Sequence, residues 1–325
     1  MRKNMSFFVV SLLFSFFIVS CSVSINPIRT KIIQQEKTKT EKQAFYEIFK
    51  KQRERFNELD KEYKAMGRFF NLIETEYYRY VSPEEMEEVI YEGINAMLKK
   101  LDRYSCLRNV DSFVDAGSAE KGSQIKTKFF ENSKIGYIFL ESFLLIGDED
   151  LSEKFAEELK KMKGLSMRGL IVDLRNNPGG YVTLVRPMCE EFLLKDVLIT
   201  RTNKFKGLIK EDFRSRENNL CKYPIIILVN KRTASAAELF AGVLQYHKVA
   251  KLMGQNTYGK GTLLRLASIG KKEAFFVFGE CFLPSGESVE GKGLKPDIEL
   301  NEEITNSDKI IELAVKELQK QISAK

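Results

Sequence analysis

Ser235 and Lys260 stand 25 residues apart in the chain, each in a loop whose composition suits chemistry. The apolar run that ends at Val229 gives way to Asn230-Lys231-Arg232-Thr233. A helix of small residues then begins near Ser235-Ala236-Ala237. A hydroxyl at a helix N-terminus lies at the positive end of the dipole, where the next backbone N–H groups also point, so an alkoxide is stabilised there. Lys260 is set between Gly259 and Gly261, and a third loop, Asp173-Leu174-Arg175-Asn176-Asn177-Pro178-Gly179-Gly180, ends on two adjacent glycines. Paired glycines let backbone N–H groups approach a developing oxyanion or a phosphate. Taken singly, each loop has a plainer reading: a helix cap, a surface lysine in a glycine turn, a tight turn. Taken together they describe a serine–lysine hydrolase. The chain's single histidine, His247, rules out a multi-histidine zinc site and leaves a Ser-His-Asp triad only one base. His247 reads as an ordinary helix-end residue. A lysine serves as general base only if its pKa falls by roughly 3 units, about 4 kcal/mol, and Tyr258, Leu263 and Leu264 are the apolar neighbours available for this. Gly254–Thr262 also approaches the phosphate-loop pattern, but Gly261 stands where the metal-binding hydroxyl belongs. A strand also follows where a helix should, so nucleotide binding is a distant third reading.

These loops need a frame to position them. From residue 41 to 106 apolar positions recur at helical spacing, and Ser82-Pro83-Glu84-Glu85 is a helix start. Residues 107–134 have little apolar period and read as a connector or loose strands. Beyond them strands and helices alternate. Strands are expected at 135–143, 169–174, 197–202, 224–229, 249–253, 263–267 and 274–278. Helices are expected at 148–163, 184–194, 234–245 and 307–322. Such alternation means an α/β core with a largely parallel sheet.

The 325 residues, 43% apolar and 30% charged, exclude disorder, collagen and a multi-span membrane protein. A net charge of +7 is spread too thinly for nucleic-acid binding. The first 20 residues read as a signal peptide, with Arg2 and Lys3 before an apolar stretch and Ile18-Val19-Ser20 before Cys21. This end resembles a bacterial lipoprotein cleavage box, with Cys21 as the lipidated residue and residues 21–40 as a polar tether. The protein is then expected in the cell envelope, lipid-anchored and facing the periplasm. Ser22 differs from an inner-membrane retention signal, which favours the outer membrane. Cys106, Cys189, Cys221 and Cys281 allow three full pairings or free thiols.

Six segments in order resemble the carboxyl-terminal processing, or tail-specific, serine proteases. They are Leu101-Asp102-Arg103-Tyr104-Ser105, Ile135-Gly136-Tyr137-Ile138, the Asp173–Gly180 loop, Thr233-Ala234-Ser235-Ala236-Ala237-Glu238, Thr257-Tyr258-Gly259-Lys260-Gly261 and Gly291-Lys292-Gly293-Leu294-Lys295-Pro296-Asp297. The resemblance implies a crotonase/ClpP-like α/β protease core over 135–325, preceded by the N-terminal helical region. It implies Ser235 as nucleophile, Lys260 as base, and an oxyanion hole from Gly179 or Gly180 with Ala236. Glu238 and Thr257 would support activity. No cofactor or metal is implied. The substrates would be C-terminal or unfolded segments of envelope proteins, and an adaptor protein or a homo-oligomer could assist.

Two departures stand out. Relatives carry a lysine-orienting glutamine where this chain has Leu264, and Tyr246 replaces an aspartate found in some of them. Relatives also place a PDZ domain of about 80–90 residues where only residues 106–134 are available, too few for such a domain. An inactive relative that binds peptides or scaffolds partners is therefore the competing expectation.

Overall fold

Two five-residue runs, Gly169–Asp173 and Ile225–Val229, are buried from end to end. Runs of this kind form strands covered on both faces, and period-2 alternation sends successive side chains to opposite sides. Leu170, Val172, Ile225, Ile227 and Val229 enter one apolar cluster, and Ile171, Ile226 and Leu228 enter another. The computed structural model describes residues 46–47, 50, 54, 60–109, 124–144, 150–204, 209–219, 222–301 and 306–324. The signal peptide, Cys21, the tether, Cys221 and residues 110–123 of the connector segment lie outside the described residues.

Contacts divide the chain into two units. The first, ending at Val81, contains helix α1 (Asp60–Glu76), which leaves Phe69 and Leu72 exposed. The second, Ser82–Lys325, begins with α2 (Pro83–Leu101), whose start is a capping box. Ser82 Oγ accepts the Glu85 N–H, and the Glu85 carboxylate accepts the Ser82 N–H.

The main sheet of this unit has six strands. They are β2 (Ile125–Phe130), β3 (Ile135–Leu140), β4 (Gly169–Asp173), β7 (Ile225–Val229), β8 (Ala250–Gly254) and β11 (Ile298–Glu299), in spatial order β11-β8-β7-β4-β3-β2. All neighbours are parallel except β2, which runs antiparallel to β3. Helices α3 (Leu151–Gly164), α4 (Val185–Glu190) and α5 (Ala236–Tyr246) contribute to the larger cluster. In that cluster Phe155, Phe192 and Phe240 meet edge to face at 6.1–6.4 Å. Helix α6 (Ser307–Ser323) covers the other face through Ala314 and Leu318.

A second, antiparallel sheet differs from the sequence expectation of one largely parallel sheet. It comprises β1 (Cys106–Asn109), β5 (Leu198–Lys204), β6 (Ile209–Arg214), β9 (Thr262–Ile269) and β10 (Lys272–Phe282), ordered β1-β10-β5-β6 with β9 also on β10. Strand β6 has no apolar alternation to reveal it. Its pairing is written in charge: Arg201 Nε donates to Asp212 at 2.6 Å and Lys204 Nζ to Glu211 at 2.6 Å across β5 and β6. The helix expected over 184–194 is a 3₁₀ turn, Val182–Leu184, followed by only the six residues of α4. Strand β2 and the end of β1 occupy part of the stretch read as a connector. Cys106, Cys189 and Cys281 are free thiols, and burial pushes the Cys281 thiol up to about 12.

Candidate active site

Strand β7 ends in a turn that is tied down before the helix begins. The Thr233 N–H reaches the Asn230 carbonyl at 2.9 Å, and the Thr233 hydroxyl donates to the Leu174 carbonyl at 2.8 Å. The next residues turn sharply into α5. Ser235 takes φ +57° and ψ −120°, a conformation that costs a non-glycine residue about 1–3 kcal/mol. Such strain is retained only where surrounding contacts over-determine it, and here they do.

Glu238, one turn into α5, is fully buried. Its carboxylate accepts the Ser235 N–H at 2.8 Å, the Gly259 N–H at 2.7 Å, the Lys260 N–H at 2.8 Å and the Thr257 hydroxyl. One carboxylate thus joins the serine turn to the lysine loop, and four donors replace its lost hydration. Thr257 passes the linkage on, its hydroxyl oxygen accepting the Leu294 N–H at 2.6 Å. The lysine loop needs its glycines. Gly259 has φ +85°, and a Cβ there would lie 2.9 Å from the Gly293 nitrogen; one on Gly261 would lie 2.5 Å from Ser288 Oγ.

Ser235 and Lys260 line one small cavity with Val182, Leu239, Cys281 and Leu283. Burial pushes the Lys260 ammonium below the usual lysine range; Glu290 opposes this and Arg108 adds to it. The neighbouring aromatic is not the Tyr258 expected from sequence, which is half exposed and lies under the Arg103 guanidinium at 5.6 Å. It is Tyr104, whose ring centroid is 5.0 Å from Lys260 Nζ.

The glycine loop closes the site from the other side. Asn177 is fully buried and ties the end of β3, the glycine loop and the serine turn together. Its side-chain amide donates to the Leu140 carbonyl at 2.8 Å, its side-chain oxygen accepts the Gly179 N–H at 2.9 Å, and its backbone carbonyl accepts the Ala234 N–H at 2.9 Å. Gly179 presses so closely on the serine turn that a Cβ would lie 2.7 Å from Ser235 Cβ and 2.8 Å from the Ala236 nitrogen. The sequence left the loop's donor open between Gly179 and Gly180. The Gly179 N–H is taken up by the Asn177 side chain. The Gly180 and Ala236 N–H groups donate to no described residue. At the base of the loop Tyr137 donates to Asp173 at 2.8 Å, and Arg175 Nε to the same carboxylate at 2.8 Å.

Leu264 lies on β9 opposite Val277 and is not among the residues lining the cavity. His247 caps the end of α5, with Nε2 2.8 Å from the Leu198 carbonyl. Sequence reasoning passed over Asn177, Tyr104 and Glu290 as functional residues. Only the motifs around Tyr104 and Asn177 carried a signal that could have found them. No group of three or more metal-ligating side chains occurs among the described residues.

Comparison with known proteins identifies the family of the core. The family model described as peptidase family S41 matches residues 134–300, just over half of the chain. A carboxy-terminal-processing protease of Bartonella bacilliformis is 32% identical over 173 residues, covering 53% of this chain and 40% of that protein. The carboxy-terminal processing protease CtpB of Bacillus subtilis is 27% identical over 176 residues, covering 54% and 36%. The chain therefore spans about two fifths of the length of these relatives. The solved photosystem II D1 C-terminal processing protease superposes with a TM-score of 0.51 at 20% identity, over 61% of this chain and 53% of that one. At that identity the likeness concerns the fold.

Proposed function

Because the chain belongs to peptidase family S41, we propose that it is a serine endopeptidase in which Ser235 is the nucleophile and Lys260 the general base. The observation that carries this reading is the shared cavity: a serine on a strained turn at a helix N-terminus faces the same space as a lysine whose ammonium is disfavoured by burial. The chemistry follows from these positions. Neutral Lys260 takes the Ser235 hydroxyl proton, and the alkoxide attacks a peptide carbonyl. The resulting oxyanion is received by the N–H groups of Gly180 and Ala236. The protonated lysine then gives its proton to the departing amine, leaving an acyl-serine. The lysine, neutral again, accepts a proton from water as that water attacks the ester, then returns it to the Ser235 oxygen as the acid product leaves, restoring both groups. Glu238 and Thr257 act behind the site by holding its two loops in register.

The substrates on this reading are C-terminal or unfolded segments of envelope proteins. The lipoprotein-like box at Cys21 supports an extracytoplasmic, lipid-anchored location. Substrate choice falls to the N-terminal region or to an adaptor, since residues 106–134 leave no room for a PDZ domain between the processing-protease motif and the core.

The test is cleavage of an unfolded protein, read by mass spectrometry, with wild type, Ser235→Ala and Lys260→Ala. Products from wild type alone are expected. Equal silence from all three folded proteins, together with no labelling of Ser235 by a phosphonate, would leave a peptide-binding role in place of proteolysis.

A further inference from the structure

A lysine that exchanges protons with a serine has to be held in one place. Leu264, four residues further along the chain on β9, offers no polar group for this. Another side chain does meet the lysine. We propose that Tyr104 is the positioning residue for Lys260, its ring face fixing the amine beside Ser235 and favouring the ammonium that forms as the proton is transferred. This rests on the serine–lysine reading above.

The geometry supports it in three ways. Lys260 Nζ is 5.0 Å from the Tyr104 ring centroid, within the range where a ring face attracts a cation. The ring is itself held at both ends. The Tyr104 and Ser105 N–H groups both donate to Asp102 Oδ1 at 2.7 Å, and the Tyr104 hydroxyl donates to Glu290 Oε1 at 3.0 Å. Finally, the anchor is the lysine loop. Glu290 Oε2 accepts the Gly261 N–H at 2.9 Å, and Arg103 donates to the Gly259 carbonyl at 3.0 Å and to Glu290 at 3.0 Å. The ring and the residues on both sides of Lys260 are therefore tied into one hydrogen-bonded unit.

A ring face attracts the ammonium and not the neutral amine, so its effect appears as the proton arrives. That is the differential stabilisation that raises kcat. The other charged groups around the lysine are Glu290 from the loop after β10, Arg108 of β1, Arg103 stacked 4.7 Å from the Tyr104 ring, and Glu238, which accepts the Lys260 backbone N–H.

The experiment titrates Lys260 by NMR in the full chain labelled with ¹³C at lysine Cε, the signal being assigned by Lys260→Arg. Kinetics are measured on the same samples. Tyr104→Leu keeps an apolar neighbour but removes the ring; Tyr104→Phe keeps the ring and loses only the hydroxyl. The leucine variant is expected to lower the Lys260 pKa by roughly 0.5–1 unit relative to the phenylalanine variant. Its kcat should fall about tenfold or more with KM unchanged, and the acid limb of kcat should move down with the lysine. Tyr104→Phe keeps the ring face but frees it from Glu290, so it should lie between wild type and the leucine variant in all three. Tyr104→Met replaces the leucine variant if that one does not fold. Leucine and phenylalanine variants that titrate alike and lose rate equally, beside an active wild type, would overturn the inference alone. A wild type whose Ser235 resists a phosphonate would remove the protease reading and the catalytic part of this one together, whatever the titration gives.

Discussion

Glu238→Gln tests whether one buried carboxylate assembles the site. In the native protein each carboxylate oxygen accepts two hydrogen bonds. Oε2 takes the Ser235 and Lys260 N–H groups, and Oε1 takes the Gly259 N–H and the Thr257 hydroxyl. A glutamine amide presents one oxygen and one NH₂. Whichever way it turns, two donors lose their acceptor and meet another donor. A buried donor left unsatisfied costs about 1–3 kcal/mol, so two cost about 2–6 kcal/mol, a large share of a typical stability of about 5–15 kcal/mol. The Thr257 hydroxyl can rotate away and recover part of this, so the amide should turn its NH₂ toward Thr257 and Gly259. The lysine loop would then loosen more than the serine turn. Urea unfolding followed by fluorescence gives the stability, and phosphonate labelling of Ser235 gives the integrity of the site. We expect a loss of at least about 2 kcal/mol and labelling slowed well beyond what the residual folded fraction explains. A variant within about 0.5 kcal/mol of wild type, with labelling unchanged, would refute the assignment of Glu238 as the link between the two loops.

Two further expectations follow from strain and burial. Ser235→Gly should be more stable than Ser235→Ala by about 1 kcal/mol, because only glycine adopts φ +57° with ψ −120° freely; equal thermal midpoints for the two would mean that the turn is not strained. Lys260→Met should abolish cleavage yet raise stability at neutral pH, since the native state disfavours the ammonium. The sign follows from linkage: with the folded pKa below the unfolded value, the unfolded chain binds more protons between the two. Wild-type stability therefore rises with pH across that window, and chemical unfolding at a series of pH values should find this slope missing in Lys260→Met.

Much of the frame was legible in the amino-acid order. The buried runs at Gly169–Asp173 and Ile225–Val229, the helical stripe of α5 and the cap at Ser82 are set by neighbours within a few residues. Period and propensity report such neighbours directly. The glycines at 179, 259 and 261 were visible as loop residues for the same reason, although the close approaches that require them were not. Strand β6 escaped because its pairing with β5 lies in Arg201–Asp212 and Lys204–Glu211, and charges alternating along a strand look like any solvated face.

The site divides along the same line. Residue type and spacing singled out Ser235 and Lys260, but only the fold brought them to one cavity. Tertiary structure also decided that the Asn177 side chain takes the Gly179 N–H, while the Gly180 N–H donates to no described residue. It decided as well that Tyr104 stands beside the lysine, tied to Glu290 across 186 residues of chain. No local pattern encodes such a pair. Their meeting depends on β1 docking against β10 in one register and on the entropy of closing the long loop between them, which the whole core repays.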